Sequence, residues 1–365
     1  MRFTISAAIE TIKPYEAGKP LKELEREFKI THAVKLASNE NPFGFSPKVK
    51  AAMIENIHKM NRYPEPIAHD LSRLLAQRFQ VGFHNIVLGN GSDDLIALLA
   101  HGFLNPGDEA LMPHPAFPMY EISVKTAKGV PVQVPLVDHA MDLDAMVKRV
   151  GPRTKLIFIT NPFNPTGAAI TREQFLAFFR KIPQDVILVV DEAYIEFVRD
   201  KAVFNSLDRP LADPRVVTLR TFSKAYGLAG FRIGYGVMDR EIAEILNRIR
   251  QPFNVNTLAS EAALAALQDQ AFVDQTITSI HRGIDNLAAA LTQMGFEPLP
   301  TQSNFLMVNI RTDATKVFHD LLRHGVIVRS LKSYGFDTCL RINSGTPEEN
   351  QIFIKALKAV LEKNR

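Results

Sequence analysis

Short runs of apolar residues, each bounded by polar or turn-forming residues, recur through the first two thirds of the chain. Seven of them have the length and the branched or aromatic content of buried strands. They lie near residues 86 to 89, 108 to 112, 130 to 135, 155 to 160, 186 to 190, 215 to 220 and 232 to 237. Helical patterns lie between them, and this alternation is typical of a mostly parallel sheet with helices on both faces. We therefore predict an α/β fold for this region.

The pattern changes further along the chain. Helical periodicity dominates from about 239 to 296 and includes a long amphipathic stretch that could connect two domains. The elements predicted after it are a strand at 304–309, a helix near 313 to 325, two short strands carrying Arg329 and Arg341, and a final helix from Pro347. We predict a large domain at 41–265, a smaller α+β domain at 266–365, and an N-terminal arm and small-domain segment at 1–40.

Composition narrows the class of protein. A chain of 365 residues with 46% hydrophobic content is long enough to bury two cores, and a net charge of +4 without a Lys/Arg block does not predict a nucleic-acid surface. The single cysteine, Cys339, allows no intrachain disulfide and favours a reducing compartment. Residues 1–10 resemble neither a signal peptide nor a membrane span, so we expect a cytoplasmic protein without membrane contact. The histidines are scattered, and we predict no metal site.

Lys224 lies in a run, Thr221 to Tyr235, that combines an amine, a hydroxyl, a cation and three glycines. A lysine flanked by small residues can form a Schiff base with pyridoxal 5'-phosphate. Ser223 and Arg232 would supply a hydroxyl donor and a planar cation for the phosphate of that cofactor. Read alone, the run is also compatible with a turn that carries a solvated lysine beside a structural arginine.

Two other predicted strands end in polar residues of the right chemistry. Asp191 follows the run at 186–190, and a carboxylate at the carboxyl end of a parallel strand points into the ligand crevice. There Asp191 could pair with a protonated pyridine nitrogen, while Tyr194 could hydrogen-bond the ring's phenolic oxygen. Asn164, in a proline-rich loop, could donate to the same oxygen. Taken singly, Asp191 could instead cap a helix, and the loop could be an ordinary turn.

A fourth strand end predicts an anion site. The run at 86–89 leads through a G-x-G turn into a helix that begins near Ser92, and such a helix end binds phosphate through free backbone N–H groups and the helix dipole. Ser92 could also be a plain N-cap. Downstream, Phe117 offers a ring that could stack on the pyridine face, although core packing is the more frequent role of a phenylalanine.

The set G-x-G-S-D, N-P-x-N-P-T-G, D-E-A-Y and S-K-x-x-G-L-x-G-x-R-x-G resembles the fold-type I pyridoxal phosphate aminotransferases in content, order and spacing. Further segments resemble the histidinol-phosphate aminotransferase family, and the resemblance covers nearly the whole chain. These segments are 14–20, 35–42, 61–64, 326–329 and 340–350. The fold that the resemblance implies is the fold-type I transferase fold, with a large cofactor-binding domain and a smaller α+β domain.

The resemblance also implies roles around the cofactor. Lys224 would hold it as a Schiff base, Asp191 would meet the ring nitrogen, and Tyr194 would meet the phenolic oxygen together with Asn164. Lys224, Asp191 and Tyr194 would be the catalytic residues. The residues implied at the phosphate end are Ser92, Asp93, Ser223 and Arg232.

Substrate contacts follow from the same resemblance. Arg341 would meet the substrate α-carboxylate, to which a guanidinium fork is suited. Arg329 would meet a substrate phosphate with help from Tyr15 and Tyr63, and Asn39 would also contact the substrate. Tyr63 would reach the cofactor site of a partner subunit, which implies a homodimer with shared sites. Read alone, the two arginines could be surface ion-pair partners at strand ends.

The activity implied is transfer of an amino group between histidinol phosphate and 2-oxoglutarate, giving imidazole acetol phosphate and glutamate in histidine biosynthesis. Three aromatic residues depart from the usual pattern of the family: Phe117, Phe163 and Tyr226. A more apolar lining could admit phenylalanine or tyrosine, so an aromatic amino acid aminotransferase is the first alternative. A phosphothreonine decarboxylase and a non-catalytic cofactor-binding effector module are remoter alternatives.

Overall fold

The computed structural model describes residues 4–14, 18–30, 33–207 and 213–363. Its helices are α1 Ala7–Glu10, α2 Leu21–Phe28, α3 Pro47–Asn56, α4 His69–Phe79, α5 Ser92–Phe103, α6 Met119–Thr126, α7 Leu143–Arg149, α8 Arg172–Phe179, α9 Arg240–Ile249, α10 Thr257–Leu267, α11 Gln270–Gln293, α12 Ala314–Arg323 and α13 Pro347–Lys363. Its strands are β1 Val34–Lys35, β2 Ile86–Gly89, β3 Glu109–His114, β4 Val130–Pro135, β5 Thr154–Thr160, β6 Ile187–Asp191, β7 Val216–Thr221, β8 Gly234–Val237, β9 Phe305–Asn309, β10 Val326–Ile327, β11 Arg329–Ser330 and β12 Cys339–Asn343.

Within the described residues, seven strands form the central sheet in the order β2-β8-β7-β6-β5-β3-β4. All pairs from β7 to β4 are parallel, whereas β8 runs antiparallel to both of its neighbours. The bounds of these seven strands agree within two residues with the seven apolar runs predicted from the sequence. The prediction of a mostly parallel α/β sheet is confirmed.

Alternation along the strands explains why this sheet is covered on both faces. In β5, Leu156 and Phe158 pack toward α5 and α9, whereas Ile157 and Ile159 pack in a separate cluster with α8. Consecutive side chains of a strand point to opposite faces, so a continuous apolar run requires two covering layers. The carboxyl ends of β5, β6 and β7 consequently open at one edge of a rigid scaffold, where polar residues can face a ligand.

The C-terminal part of the chain builds a second, smaller sheet of the antiparallel order β11-β12-β9. Its apolar cluster also takes in residues from β1 and the segment after it, among them Val34 and Leu36. The long helix α11 joins both parts, since Ile280 packs in the cluster of the central sheet and Leu287 in the cluster of the small sheet. The division into 1–40, 41–265 and 266–365 stays a prediction.

Two further findings concern the described residues as a set. Across residues 4–14, 18–30, 33–207 and 213–363, the apolar length that a bilayer crossing requires is not reached by any helix. The predicted site residue Tyr15 lies outside the described residues.

Candidate active site

A cavity of about 90 Å³ lies where the carboxyl ends of β5 and β6 and the loop after β7 meet the small sheet and the segment after β1. It brings together seven residues that the sequence singles out. They are Asn39, Phe117, Asn164, Tyr194, Lys224, Arg329 and Arg341. Gly18, Ala37, Ser38 and Tyr334 complete the lining. The elements that contribute them are far apart in sequence, so only the fold makes them neighbours.

Lys224 lies in the loop that follows β7. Its Nζ donates a hydrogen bond to the Ser38 carbonyl at 3.1 Å and lies 5.7 Å from the centre of the Tyr194 ring. The loop turns at Gly227, whose φ of 74° is in the left-handed region and where a Cβ would collide with the Gly44 carbonyl. Only glycine is compatible with that turn, which places the lysine amine in the cavity.

Asp191 ends β6 and is buried. Its Oδ2 accepts a hydrogen bond from the Tyr120 hydroxyl at 2.6 Å, and its Oδ1 accepts one from the Ala193 backbone N–H at 3.2 Å. Burial raises the pKa of Asp191 to about 6, although both hydrogen bonds oppose that rise. The carboxylate is thus desolvated and held by neutral donors, which suits it to meet a cation on a ligand.

Tyr194 and Asn39 form a second buried pair. The Tyr194 hydroxyl accepts a hydrogen bond from Asn39 Nδ2 at 2.9 Å, so its own proton remains available for another acceptor. Burial raises the pKa of Tyr194, and the Arg341 charge and the Asn39 hydrogen bond counteract it. Tyr194 is therefore a neutral hydrogen-bond donor in the cavity wall at physiological pH.

Asn39 itself is held in an unusual conformation. Its φ of 55° is in the left-handed region, which asparagine tolerates better than most residues. Its backbone N–H donates to Asn343 Oδ1 and its carbonyl accepts from Asn304 Nδ2, both at 3.0 Å. Its Oδ1 is buried without a hydrogen-bond partner among the described residues. An orphaned acceptor in the cavity wall is a group that a ligand donor would satisfy.

Arg341 and Arg329 face each other across the register of β12 and β11. Arg341 is buried, and it donates to Asn164 Oδ1 at 2.6 Å and to the Ala37 carbonyl at 2.7 Å. Its Nε has no hydrogen-bond partner among the described residues. Because arginine can only donate, the Asn164 atom facing it must be the amide oxygen, and the amide NH₂ is the donor that the sequence interpretation requires.

The predicted phosphate residues lie beside this cavity and do not line it. Ser92 is the first residue of α5, and a Cβ on the preceding Gly91 would collide with Asp93 and with the Arg232 guanidinium. Asp93 Oδ1 accepts from Arg232 Nη2 at 3.0 Å, so Asp93 orients this arginine. Ser223 is buried next to Lys224. Bare backbone, a helix N-terminus and a guanidinium together form a suitable anion cradle.

Tyr63 is not brought into the cavity of its own chain. Its side chain is 82% exposed and stacks on Phe253 with ring centroids 4.6 Å apart. It lines a separate surface depression of about 450 Å³ together with Arg62 and Leu264.

Sequence reasoning missed three residues at the site. Tyr120 follows the candidate stacking residue Phe117 by three positions, and that proximity in sequence was the only local signal that it could lie near the site. Asn343 follows Arg341 by two positions in a strand, so both side chains had to share a face. Asn304 carried no such signal, because its contact with Asn39 depends on the pairing of distant segments.

Known proteins are similar to this chain over nearly its whole length. The family model for aminotransferase class I and II matches residues 31–357. The chain is 44% identical over 362 residues to histidinol-phosphate aminotransferase 2 of Carboxydothermus hydrogenoformans, covering 98% of this chain and 99% of the relative. It is 42% identical over 372 residues to histidinol-phosphate aminotransferase of Desulfotalea psychrophila, covering 99% and 96%.

A solved structure is similar over the same length. The crystal structure of histidinol-phosphate aminotransferase from Sinorhizobium meliloti in complex with pyridoxal-5'-phosphate superposes with a TM-score of 0.91 at 28% identity, covering 99% of this chain and 98% of that one. The fold-type I assignment is confirmed. The chain therefore belongs to the class I and II aminotransferases and, within them, to the histidinol-phosphate aminotransferase family.

Proposed function

We propose that this protein transfers an amino group between histidinol phosphate and 2-oxoglutarate, giving imidazole acetol phosphate and glutamate in histidine biosynthesis, with pyridoxal 5'-phosphate as cofactor. The observation that carries this proposal is the convergence of the Lys224 amine and two arginines in one cavity. Two relatives named histidinol-phosphate aminotransferase, at 44% and 42% identity, support this proposal over an aromatic amino acid aminotransferase, a decarboxylase or a non-catalytic module.

The residues of the site are compatible with the cofactor. Lys224 offers a primary amine to an aldehyde, Asp191 offers a desolvated carboxylate to a ring nitrogen, and the bare backbone at Gly91 offers an approach for a phosphate. When bound, the cofactor would supply an electron sink next to the α-carbon of the substrate. The Sinorhizobium meliloti relative was solved in complex with this cofactor.

We assign the remaining tasks to the chain's own side chains. Lys224 Nζ would take the proton from the substrate α-carbon as a general base, and the Ser38 carbonyl would hold that amine in place between steps. Asp191 would accept from the ring N–H, and the Tyr194 hydroxyl would donate to the ring oxygen. In this assignment the groups that hold the ring are buried, which excludes water from the reacting atoms.

The paired arginines support anionic substrates. Side chains directly opposite each other on antiparallel strands are close, so one anionic substrate in the cavity that both arginines line could contact both cations. We propose that Arg329 meets the phosphate of histidinol phosphate in one half-reaction and the distal carboxylate of glutamate in the other. Arg341 would meet the α-carboxylate of glutamate, with its orphaned Nε as one donor.

We also propose a homodimer in which Tyr63 completes the site of the partner. Tyr63 is 82% exposed, and nearby Ile54, Ile57 and Met60 are exposed apolar side chains too. Mixing subunits would test this directly. Lys224→Ala and Tyr63→Ala homodimers should each be impaired, and refolding them together should regenerate one intact site in each mixed dimer. Mixtures that recover no activity would contradict a shared site.

Two broader expectations belong with this proposal. Residues 41–265 would form the cofactor-binding domain, and 266–365 with part of 1–40 the smaller domain, in keeping with the apolar clusters on either side of α11. A cytoplasmic location is in keeping with the single cysteine.

The decisive experiment is single-turnover absorbance on purified holoenzyme. Loss of the bound-cofactor band should be much faster with histidinol phosphate than with phenylalanine at matched concentrations. Faster conversion with phenylalanine would overturn the assignment in favour of an aromatic amino acid aminotransferase. Lys224→Ala should abolish both reactions, because the reacting amine is gone.

Arg329→Gln tests the substrate phosphate contact. The rate of conversion of histidinol phosphate should fall on the order of 100-fold, and that of phenylalanine much less, because a charge-assisted contact is lost for one substrate only. Lys332→Gln, which removes a neighbouring exposed charge outside the cavity, is the matched control and should leave both rates unchanged. Equal losses for both substrates in Arg329→Gln would count against the phosphate role.

A further inference from the structure

Tyr120 is fully buried beside the candidate active site, and its hydroxyl has two neighbours. It donates to Asp191 Oδ2 at 2.6 Å and lies 2.8 Å from Thr160 Oγ1. A phenol has one proton and an ionised carboxylate can only accept, so the direction of the chain is fixed. Thr160 donates to Tyr120, and Tyr120 donates to Asp191.

The surroundings fix the Tyr120 ring from several directions. It stacks on Phe158 of β5 with ring centroids 4.8 Å apart. It also makes a T-shaped contact with Phe117, with centroids 5.8 Å apart and an interplanar angle of 89°. Thr160 ends β5 and is the register partner of Asp191 in the sheet. Since helix α6 and two strands hold the three groups, their hydrogen bonds are preorganised and need no rearrangement when a ligand enters.

We propose that Tyr120 is a positioning residue that keeps the Asp191 carboxylate ionised and aimed at the cofactor ring, and that Thr160 reinforces it. This inference rests on the proposed function, because Asp191 has that task only in a pyridoxal phosphate enzyme. Neither Tyr120 nor Thr160 touches the reacting atoms in this assignment; both act through Asp191.

The charges around Asp191 explain why such a donor is needed. Burial and the negative charges of Glu192 and Asp93 favour the neutral acid, whereas the Tyr120 hydroxyl and the Ala193 N–H favour the carboxylate. Tyr194 is a neutral group facing the same carboxylate, and Asp191 raises its pKa in turn. Burial and Asp191 also raise the pKa of Tyr120 well above its ordinary value, so this phenol stays a donor throughout the physiological range.

The variant that tests this is Tyr120→Phe, which removes only the hydroxyl. In apoprotein labelled with carbon-13 at aspartate carboxyls, the NMR titration midpoint of Asp191 should rise by about one pH unit. Asp191→Asn identifies the resonance by its loss. Thr160→Val should move the midpoint in the same direction by a smaller amount, because it only weakens the Tyr120 donor.

A matched control separates this effect from general loss of a buried hydroxyl. Tyr235 is buried to the same degree but packs in a different apolar cluster, so Tyr235→Phe should leave the Asp191 midpoint unchanged. The dissociation constant of pyridoxal phosphate should rise about tenfold in Tyr120→Phe and not in the control. The acid limb of the kcat profile should move to higher pH in Tyr120→Phe alone.

The outcomes distinguish this inference from the function on which it rests. If Tyr120→Phe and Thr160→Val both keep the parent midpoint and cofactor affinity, the positioning role is wrong, even when the parent holoenzyme converts histidinol phosphate. If the parent binds no pyridoxal phosphate, the proposed function fails. The role toward the cofactor then fails with it, whatever the NMR midpoint shows.

Discussion

Asp191 and Glu192 are consecutive carboxylates at one strand end, both buried, and their partners differ completely. Asp191 accepts hydrogen bonds from the Tyr120 hydroxyl and from the Ala193 backbone N–H. Glu192 Oε2 accepts hydrogen bonds from Nε and Nη2 of Arg220, at 3.0 and 2.8 Å. Its Oε1 accepts one from the Ser206 backbone N–H at 2.7 Å. Because neighbouring side chains of an extended segment point to opposite faces, the two carboxylates meet different partners: Asp191 meets Tyr120 of α6, and Glu192 meets Arg220 of β7.

The difference supports the proposal that Asp191 acts on a ligand, whereas Glu192 stabilises the fold. Glu192 has its charge compensated by an arginine of β7, and Arg220 lies 5.2 Å from the Phe79 ring centre, which shields the pair further. The pair ties the end of β6 to β7, the strand that leads to Lys224. Asp191 is instead held by two neutral donors, the Tyr120 hydroxyl and the Ala193 backbone N–H, which supports the proposal that its charge serves a ligand.

Of the changes that test this comparison, removing the charge of Asp191 should have the largest effect. Asp191→Asn keeps the shape, but an amide cannot stabilise a protonated ring nitrogen, so kcat should fall on the order of 1,000-fold. The apoprotein should remain folded at neutral pH, since no charged partner is left unpaired. Stopped-flow turnover and urea denaturation measure the two quantities. If Asp191→Asn turned over at the parent rate, the proposed difference between Asp191 and Glu192 would be wrong, because neither carboxylate would then act in turnover.

Glu192→Ala should show the opposite profile. It leaves the buried Arg220 without its ion partner, which typically costs about 3–5 kcal/mol in free energy of unfolding. Denaturation of the apoprotein measures this loss. The double variant Glu192→Gln with Arg220→Met should be more stable than the single variant, because no uncompensated charge stays buried. A Glu192→Ala protein as stable as the parent would contradict the structural role.

Much of this comparison could not be predicted from the sequence. The strand that ends in Asp191 could, because a continuous apolar run followed by a carboxylate has a known meaning at the edge of a parallel sheet. The cavity residues Lys224, Asn164 and Arg341 could also be named in advance, since each lies in a local motif. Glu192 lies in the same motif as Asp191, yet local pattern could not separate its structural role.

The remainder depends on contacts between distant segments. Arg220 meets Glu192 only because β6 and β7 are neighbours in register, and Asn39 meets Tyr194 across 155 residues of sequence. Arg329 and Arg341 were both predicted on strands, but their direct pairing follows from the antiparallel register of β11 and β12. Periodicity predicts which elements exist and which faces are apolar, whereas register decides which polar groups meet.

The pH dependence of stability should sharpen the comparison at a smaller scale. The pKa of Asp191 in the folded protein, about 6, lies above its ordinary value of 3.8. Protonation of Asp191 therefore stabilises the folded state: this contribution to the free energy of unfolding is fully present below pH 3.8 and is lost as pH rises through about 6. Between about pH 4 and pH 7, unfolding free energy of the parent apoprotein should fall by about 2 kcal/mol more than that of Asp191→Asn. Glu196, whose pKa burial raises to about 7, is present in both proteins and cancels. Parallel pH profiles would contradict a desolvated Asp191.

The smallest expected effect concerns a neutral member of the Glu192 network. Asn205 Oδ1 accepts from Arg220 Nη2 at 2.6 Å, and Asn205→Ala removes that acceptor while the ion pair itself remains. We expect a loss of about 1 kcal/mol in unfolding free energy, with turnover and the Asp191 titration unchanged. Because the network of Glu192, Arg220 and Asn205 does not contact Asp191 through any of these hydrogen bonds, the substitution should lower only the free energy of unfolding. A selective loss of turnover at parent stability would show that the two sides are coupled and that the structural and functional carboxylates are not independent.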